Sequence, residues 1–150
     1  LLGAGGAARA ALLGLIEEGA EEVLIYNRTQ DRARAVARRI GGDRTRVVPA
    51  VRELEGESFD LVVNATRLGL EPDDPSSIDF SMLQRAGAAM DLVYGTHTTP
   101  FVASAVAAGV RATDGLGMLV HQGAAAFERW WGAEAPLEEM RRAVEATHGA

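Results

Sequence analysis

One hundred and fifty residues suit a single domain able to bury about two-thirds of its unfolded surface, and a formal charge of −6 argues against nucleic acid or an anionic membrane as partner. The sequence holds no cysteine, and all 15 of its Lys/Arg positions are arginine, which excludes disulfides, thiolate catalysis, cysteine metal sites and any lysine-based mechanism housed in this chain. No apolar run approaches the ~20 residues of a membrane span and no signal-peptide pattern is present, so the expectation is a cytoplasmic protein.

The first ten residues, Leu-Leu-Gly-Ala-Gly-Gly-Ala-Ala-Arg-Ala, organise the rest of the chain. Gly3, Gly5 and Ala8 fit G-x-G-x-x-G/A, the pattern of a strand turning tightly into a helix beneath a dinucleotide pyrophosphate. Gly3 permits the turn, Gly5 lacks the Cβ that would hold a phosphate away, and Ala8 lets the helix lie close to the sheet. The first N–H groups of that helix are free to face an anion. Ala8, Ala11, Leu12, Leu15 and Gly19 continue at helical spacing, and residues 23–26 supply a strand. A first parallel strand is usually about 5–6 residues long, yet only Leu1 and Leu2 precede the turn. The expectation is therefore a natural polypeptide that begins upstream.

The strand over 23–26 runs into Asn27-Arg28-Thr29, where a dinucleotide fold that selects NAD places an acidic residue on the adenosine ribose. Here an arginine stands instead. A guanidinium can pair with a 2′-phosphate, each charge-assisted bond contributing about 1.5–3 kcal/mol, or one to two decades of preference for NADP over NAD. Arg32, four residues on, shares a face with Arg28 at the start of the next helix and completes a two-arginine clamp. The alternative is that both are solvated, as Arg34, Arg38 and Arg39 on the same helix are expected to be. That helix has Ala33, Val36, Ala37 and Ile40 inward and stops at Gly41-Gly42.

A short strand is expected over 46–48, a helical turn over 51–54, and a stronger strand over 59–63 that ends in Asn64-Ala65-Thr66. Ligands bind outside the carboxyl ends of parallel strands, which places Asn64 and Thr66 at the cofactor cleft, unless they only close an Asx or Ser/Thr turn. Residues 71–79 read as a Pro- and Asp-rich loop without assignable chemistry. A strand over 88–94 follows, then a helix from Pro100 to about Gly109, and a last strand over 110–113. Asp114-Gly115 opens a helix to Trp131 with Val120, Ala124, Phe127 and Trp131 as its buried stripe. Gly132 stops it. Pro136 starts a closing helix with Leu137, Met140 and Val144 inward. The periodicities together predict an α/β domain: a Rossmann-like, doubly wound parallel sheet with helices on both faces, closed by helices over 116–131 and 136–147.

The order of the motifs Gly-Ala-Gly-Gly-Ala, Asn-Arg-Thr-x-x-Arg, Asn-Ala-Thr, Asp-Leu-Val-Tyr and Asp-Gly-Leu-Gly-Met-Leu-Val-His-Gln-Gly-Ala resembles the shikimate dehydrogenase family. The resemblance covers the whole chain but only the family's carboxyl-terminal, NADP-binding half. It implies reversible hydride transfer between NADP(H) and the 3-dehydroshikimate/shikimate pair in aromatic amino-acid biosynthesis (the chorismate pathway). By the same resemblance Gly3, Ala4, Gly5, Gly6 and Ala7 hold the pyrophosphate, and Asn27, Arg28, Thr29 and Arg32 the ribose and its 2′-phosphate. Asn64, Ala65 and Thr66 line the adenosine side, while Leu92, Gly115, Met118 and Leu119 surround the nicotinamide. Gln122 and Tyr94 face the substrate, shikimate or 3-dehydroshikimate.

Several positions depart from the family. Arg67 and Leu70 replace the usual Ser and Met, and Gly95-Thr96 replaces Asn-Pro after Tyr94. Arg67 either reaches a phosphate or faces solvent. The family's catalytic Lys–Asp pair lies in the amino-terminal domain, expected upstream of Leu1, so no catalytic residue is assigned here and the chain alone is expected to be inactive. His121 lies about 100° round the helix from Gln122 and reads as a structural histidine rather than a proton shuttle. The scattered histidines offer no metal site. Trp130-Trp131 reads as a core anchor beside a surface or interface contact. Two other functions stay open, a quinate/shikimate dehydrogenase of broader specificity and a non-catalytic NADP-binding module. A homodimer is compatible with either.

Overall fold

The structure, a computed structural model, describes residues 1–71 and 73–148. Among these residues are five parallel strands and five α-helices; α-helices connect the first two strands and the last two, only 3-10 turns separate the second, third and fourth strands, and two helices follow the last. Strands β1 (Val23–Tyr26) and β2 (Thr45–Val48) pair in register, as do β3 (Ser58–Asn64), β4 (Arg85–Asp91) and β5 (Arg111–Thr113). Leu2 joins the two groups. It bridges Tyr26 on one side and Asn64 on the other, with Leu2 N–H donated to Val63 O, Gly3 N–H to Tyr26 O and Ala65 N–H to Leu2 O, each at 2.8 Å. The spatial order is therefore β2-β1-Leu2-β3-β4-β5, the doubly wound arrangement in which a ligand crevice opens where the strand order reverses.

The two faces of the sheet carry separate cores. Ala4, Leu12, Val23, Ile25, Ala33, Val36 and Ala37 pack where α1 (Gly6–Glu17) and α2 (Gln30–Val36) cover one face. Leu2, Val48, Leu54, Val62, Ile78, Phe80, Ala89, Phe101 and Ala105 pack where α3 (Pro100–Ala107) covers the other. Strand alternation makes this division, since Val23 and Ile25 are fully covered while Leu24 and Tyr26 lean on the opposite core. Beyond β5, α4 (Leu116–Trp131) packs on α5 (Leu137–His148). Among the described residues no helix is long and apolar enough to cross a membrane.

Three local expectations are corrected. The fourth strand covers Arg85–Asp91 rather than 88–94, because Arg85 and Ala86 pair with Ser58 and Phe59 while the chain leaves the sheet after Asp91. The helix before Gly41 does not stay regular. It loosens into a π turn over Ala37–Gly41 and tightens into a 3-10 turn over Gly42–Arg44. A 3-10 turn at Phe80–Met82, capped by the Asp79 carboxylate, leads into β4. Trp131 is not in the buried stripe of α4: Val120 and Ala124 are covered, whereas Trp131 is 73% exposed and Trp130 78%. Phe127 touches Trp131 at a ring-centroid separation of 6.3 Å, so the aromatic end of α4 packs partly on itself.

Candidate functional site: a cationic cleft at the carboxyl edge of the sheet

Gly3 shapes the cleft. Its φ of 111° belongs to glycine, and a Cβ there would stand 2.7 Å from Ala65 O and 3.2 Å from Thr66 N. The glycine turn and the loop after β3 are therefore in backbone contact. Gly5 follows as the N-cap of α1, exposed, with no side chain capping the helix and no acidic residue in the first turn. Nothing lies within 4 Å of a Cβ placed on Gly5. The open space in front of a 12-residue helix with uncapped N–H donors is the environment in which an anion is favoured.

An open cleft of about 630 Å³ runs past this turn, and Gly3, Ala4, Gly5, Asn27, Arg28, Thr29, Arg32, Ala65 and Thr66 all line it. Gly6 and Ala7 sit exposed in the first turn of α1 beside it. Asn27 closes the turn into α2 by donating Nδ2–H to Thr29 O at 2.8 Å, which presents Arg28 and Arg32 on one side. Both guanidiniums are exposed, and neither has a hydrogen bond or an ion pair among the described residues. Arg34, by contrast, is engaged with Asp31 and Gln30. The residues present thus suit a phosphorylated nucleotide: an uncapped helix start faces space that a Cβ would leave open, flanked by two uncompensated cations. Leu70, Ser77 and Arg67 also line the cleft. The motifs did not mark Ser77, whose hydroxyl has no hydrogen-bond partner among the described residues, because only folding of the 71–79 loop brings it there.

Asn64 is not in the cleft wall. It is fully buried beneath it. Its Nδ2 donates to Asp91 Oδ1 at 2.8 Å and to Leu68 O at 3.1 Å, and its Oδ1 accepts from Thr66 Oγ1 at 2.7 Å and Thr66 N–H at 3.2 Å. Asp91, also fully buried, accepts from Val93 N–H at 3.0 Å and from Thr99 Oγ1 at 2.6 Å. Thr99 in turn caps α3 by accepting from Val102 N–H. Burial pushes the Asp91 carboxyl above the usual carboxylate range; the three hydrogen bonds oppose that rise and the Asp114 charge adds to it.

The residues expected around the nicotinamide form a second group, outside the cleft just described. A Cβ on Gly115 would meet Leu92 O at 2.5 Å and Tyr94 Cδ1 at 3.2 Å, and Gly115 N–H donates to Val93 O at 3.0 Å. Leu92, Tyr94 and Gly115 therefore touch, with Met118 and Leu119 one turn along α4 and partly buried. Asp114 holds the start of α4 by accepting from Leu116 N–H. Leu92 N–H donates to Asn64 O at 2.8 Å, which ties this group to the cleft through the buried network. Gln122 and His121 are exposed on α4. Among the described residues no group of three metal-ligating side chains converges.

Residues 1–69 match the family model described as shikimate / quinate 5-dehydrogenase, and residues 115–145 match that of the shikimate 5'-dehydrogenase C-terminal domain. The NADP(+)-dependent shikimate dehydrogenase of Nitrobacter winogradskyi is 41% identical over 150 aligned residues, covering 97% of this chain and 53% of that protein. Its counterpart in a Chelativorans species is 44% identical over 145 residues, covering 96% and 52%. The crystal structure of shikimate 5-dehydrogenase from Thermus thermophilus in complex with NADP(H) and shikimate superposes with a TM-score of 0.82 at 38% identity, over 97% of this chain and 53% of that one. The chain spans about half the length of the curated relatives it matches. With a doubly wound sheet, a glycine turn at its reversal point and both family models matched at opposite ends, the chain belongs to the shikimate dehydrogenase family.

Proposed function

We propose that this chain binds NADP(H) and forms the cofactor side of a shikimate dehydrogenase, which interconverts 3-dehydroshikimate and shikimate in aromatic amino-acid biosynthesis. One observation carries the reading: Arg28 and Arg32, exposed and without partners among the described residues, flank the open amino end of α1 in a single cleft. In this reading Gly3 to Ala7 accept the diphosphate on backbone N–H groups. Arg28 and Arg32, positioned by the Asn27 turn, pair with the 2′-phosphate, and Ala65 with Thr66 closes the opposite wall. Leu92, Gly115, Met118 and Leu119 orient the nicotinamide at the far end of the sheet edge. Gln122 offers an amide to a substrate hydroxyl, with Tyr94 close by. NADP(H) supplies the hydride when bound. The 150 residues contain no lysine, so in this reading the family's Lys–Asp proton exchange is performed by residues outside this sequence, and the chain alone does not turn over shikimate. A wider substrate range that includes quinate is a second reading, favoured by the family model matched over residues 1–69, which covers both substrates.

Calorimetric titration with NADP⁺ and NAD⁺ tests the proposal. NADP⁺ is expected to bind at least about tenfold more tightly, a difference of ~1.4 kcal/mol, and Arg28→Ser is expected to remove most of that preference. Equal affinities, or no binding of either nucleotide, would overturn it.

A further inference from the structure

Arg67 is a third arginine in the cleft, and it stands apart from the pair that follows β1. It is exposed, lines the same cleft as Arg28 and Arg32, and makes no hydrogen bond or ion pair among the described residues. Two acidic residues share its wall. Asp74 spends Oδ2 on Gly69 N–H and Glu71 N–H, and the exposed Glu71 forms no salt bridge with Arg67. The turn that displays Arg67 is held from below, because Asn64 binds both sides of it, at Thr66 and at Leu68 O, and Thr66 Oγ1 accepts from Leu68 N–H. This cation is presented from a fixed support rather than a loose loop. Its place in the sheet order separates it from the other two. Arg28 follows β1 and Arg67 follows β3, with the Leu2–Gly3 segment between them. Neighbouring strands lie ~4.8 Å apart, so the two walls stand about two strand spacings apart across the glycine turn.

We infer that Arg67 contacts the adenosine diphosphate portion common to NADP and NAD, rather than the 2′-phosphate that distinguishes them. A planar guanidinium suits that position because it pairs with diphosphate oxygens and stacks on a purine. Arg67 therefore sets affinity, while Arg28 and Arg32 set choice. The inference rests on the proposed nucleotide cleft.

The test is titration of the full 150-residue chain and of Arg67→Ser, Arg67→Glu and Arg28→Ser with four probes: ADP, adenosine 2′,5′-bisphosphate, NAD⁺ and NADP⁺. Arg67→Ser is expected to weaken ADP, NAD⁺ and NADP⁺ by a common factor of about three to ten, with Arg67→Glu weaker still. Arg28→Ser is expected to weaken only the two probes that carry a 2′-phosphate. Unchanged binding of ADP and NAD⁺ to the folded Arg67 variants, or a loss confined to the 2′-phosphate probes, would overturn the assignment and leave the cleft reading intact. Failure of the parent chain to bind any probe would remove both. Arg67 is exposed, so unaltered circular dichroism is expected for both of its variants.

Discussion

Two polar clusters lie at the carboxyl edge of the same sheet, and they are built on opposite rules. In the cleft, charge stands unpaired: the guanidiniums of Arg28, Arg32 and Arg67 have no partners among the described residues, and the start of α1 has no side-chain cap. In the knot beneath it, Asn64, Asp91 and Thr99 are at most 1% exposed, and each uses its side-chain oxygens or nitrogens in hydrogen bonds. A buried polar group must be paired or it destabilises the fold. An exposed cation carries no such requirement and stays available. The contrast separates residues that hold the molecule together from residues that can hold something else, even when both kinds belong to one short motif such as Asn64-Ala65-Thr66.

The sharpest way to break the arrangement is at the residue that serves both clusters. Gly3→Ala forces an L side chain into a φ of 111° and pushes its Cβ to 2.7 Å from Ala65 O. The expected loss is about 2–5 kcal/mol in urea unfolding, with nucleotide binding lost in the fraction that stays folded. Next comes Asn64→Ala, which takes a donor from the buried Asp91 and releases the Thr66 turn. About 2–3 kcal/mol of stability is expected to go, and the Arg67 wall should loosen, so ADP binding weakens although no cleft side chain has changed.

The smallest effect is one of pH. The Asp91 carboxyl titrates above its ordinary value in the folded chain, so in the window just above that ordinary value the folded state keeps a proton that the unfolded state loses. Its contribution to stability is fully present below the unfolded value and is lost as pH rises through the folded one. Stability curves of the parent chain and of Asp91→Asn, measured from about pH 4 to 7, are therefore expected to converge or cross in favour of the variant as pH rises. Parallel curves would mean that Asp91 keeps an ordinary pKa and that its hydrogen bonds fully offset its burial.

Much of the cleft is legible in the sequence because its signals are local. The spacing of Gly3, Gly5 and Ala8 specifies a turn into a helix, and Arg28 and Arg32 reach one wall because they straddle the start of that next helix. The Asn64 environment is not legible, because its main partner is 27 residues away. An Asn at a strand end has the same local appearance whether it faces a ligand or a buried carboxylate. The strand over Arg85–Asp91 starts and ends earlier than its own periodicity suggests for a related reason: Arg85 and Ala86 join the sheet only because Ser58 and Phe59 extend beside them. Trp131 misleads because helical spacing alone says which residues share a stripe, not whether anything covers it.

The sequence by itself determined the order of most strands and helices, the glycine turn and the absence of an acidic residue directly after β1. Each depends on backbone geometry, periodicity or residue type within a few positions. Only the tertiary structure decided that Asn64 lies under the cleft rather than in it, that Ser77 and Arg67 join its wall, and that Leu92, Tyr94 and Gly115 touch. Those outcomes depend on which distant segments the sheet order brings side by side, and on whether the groups that meet are left open to water or buried and paired.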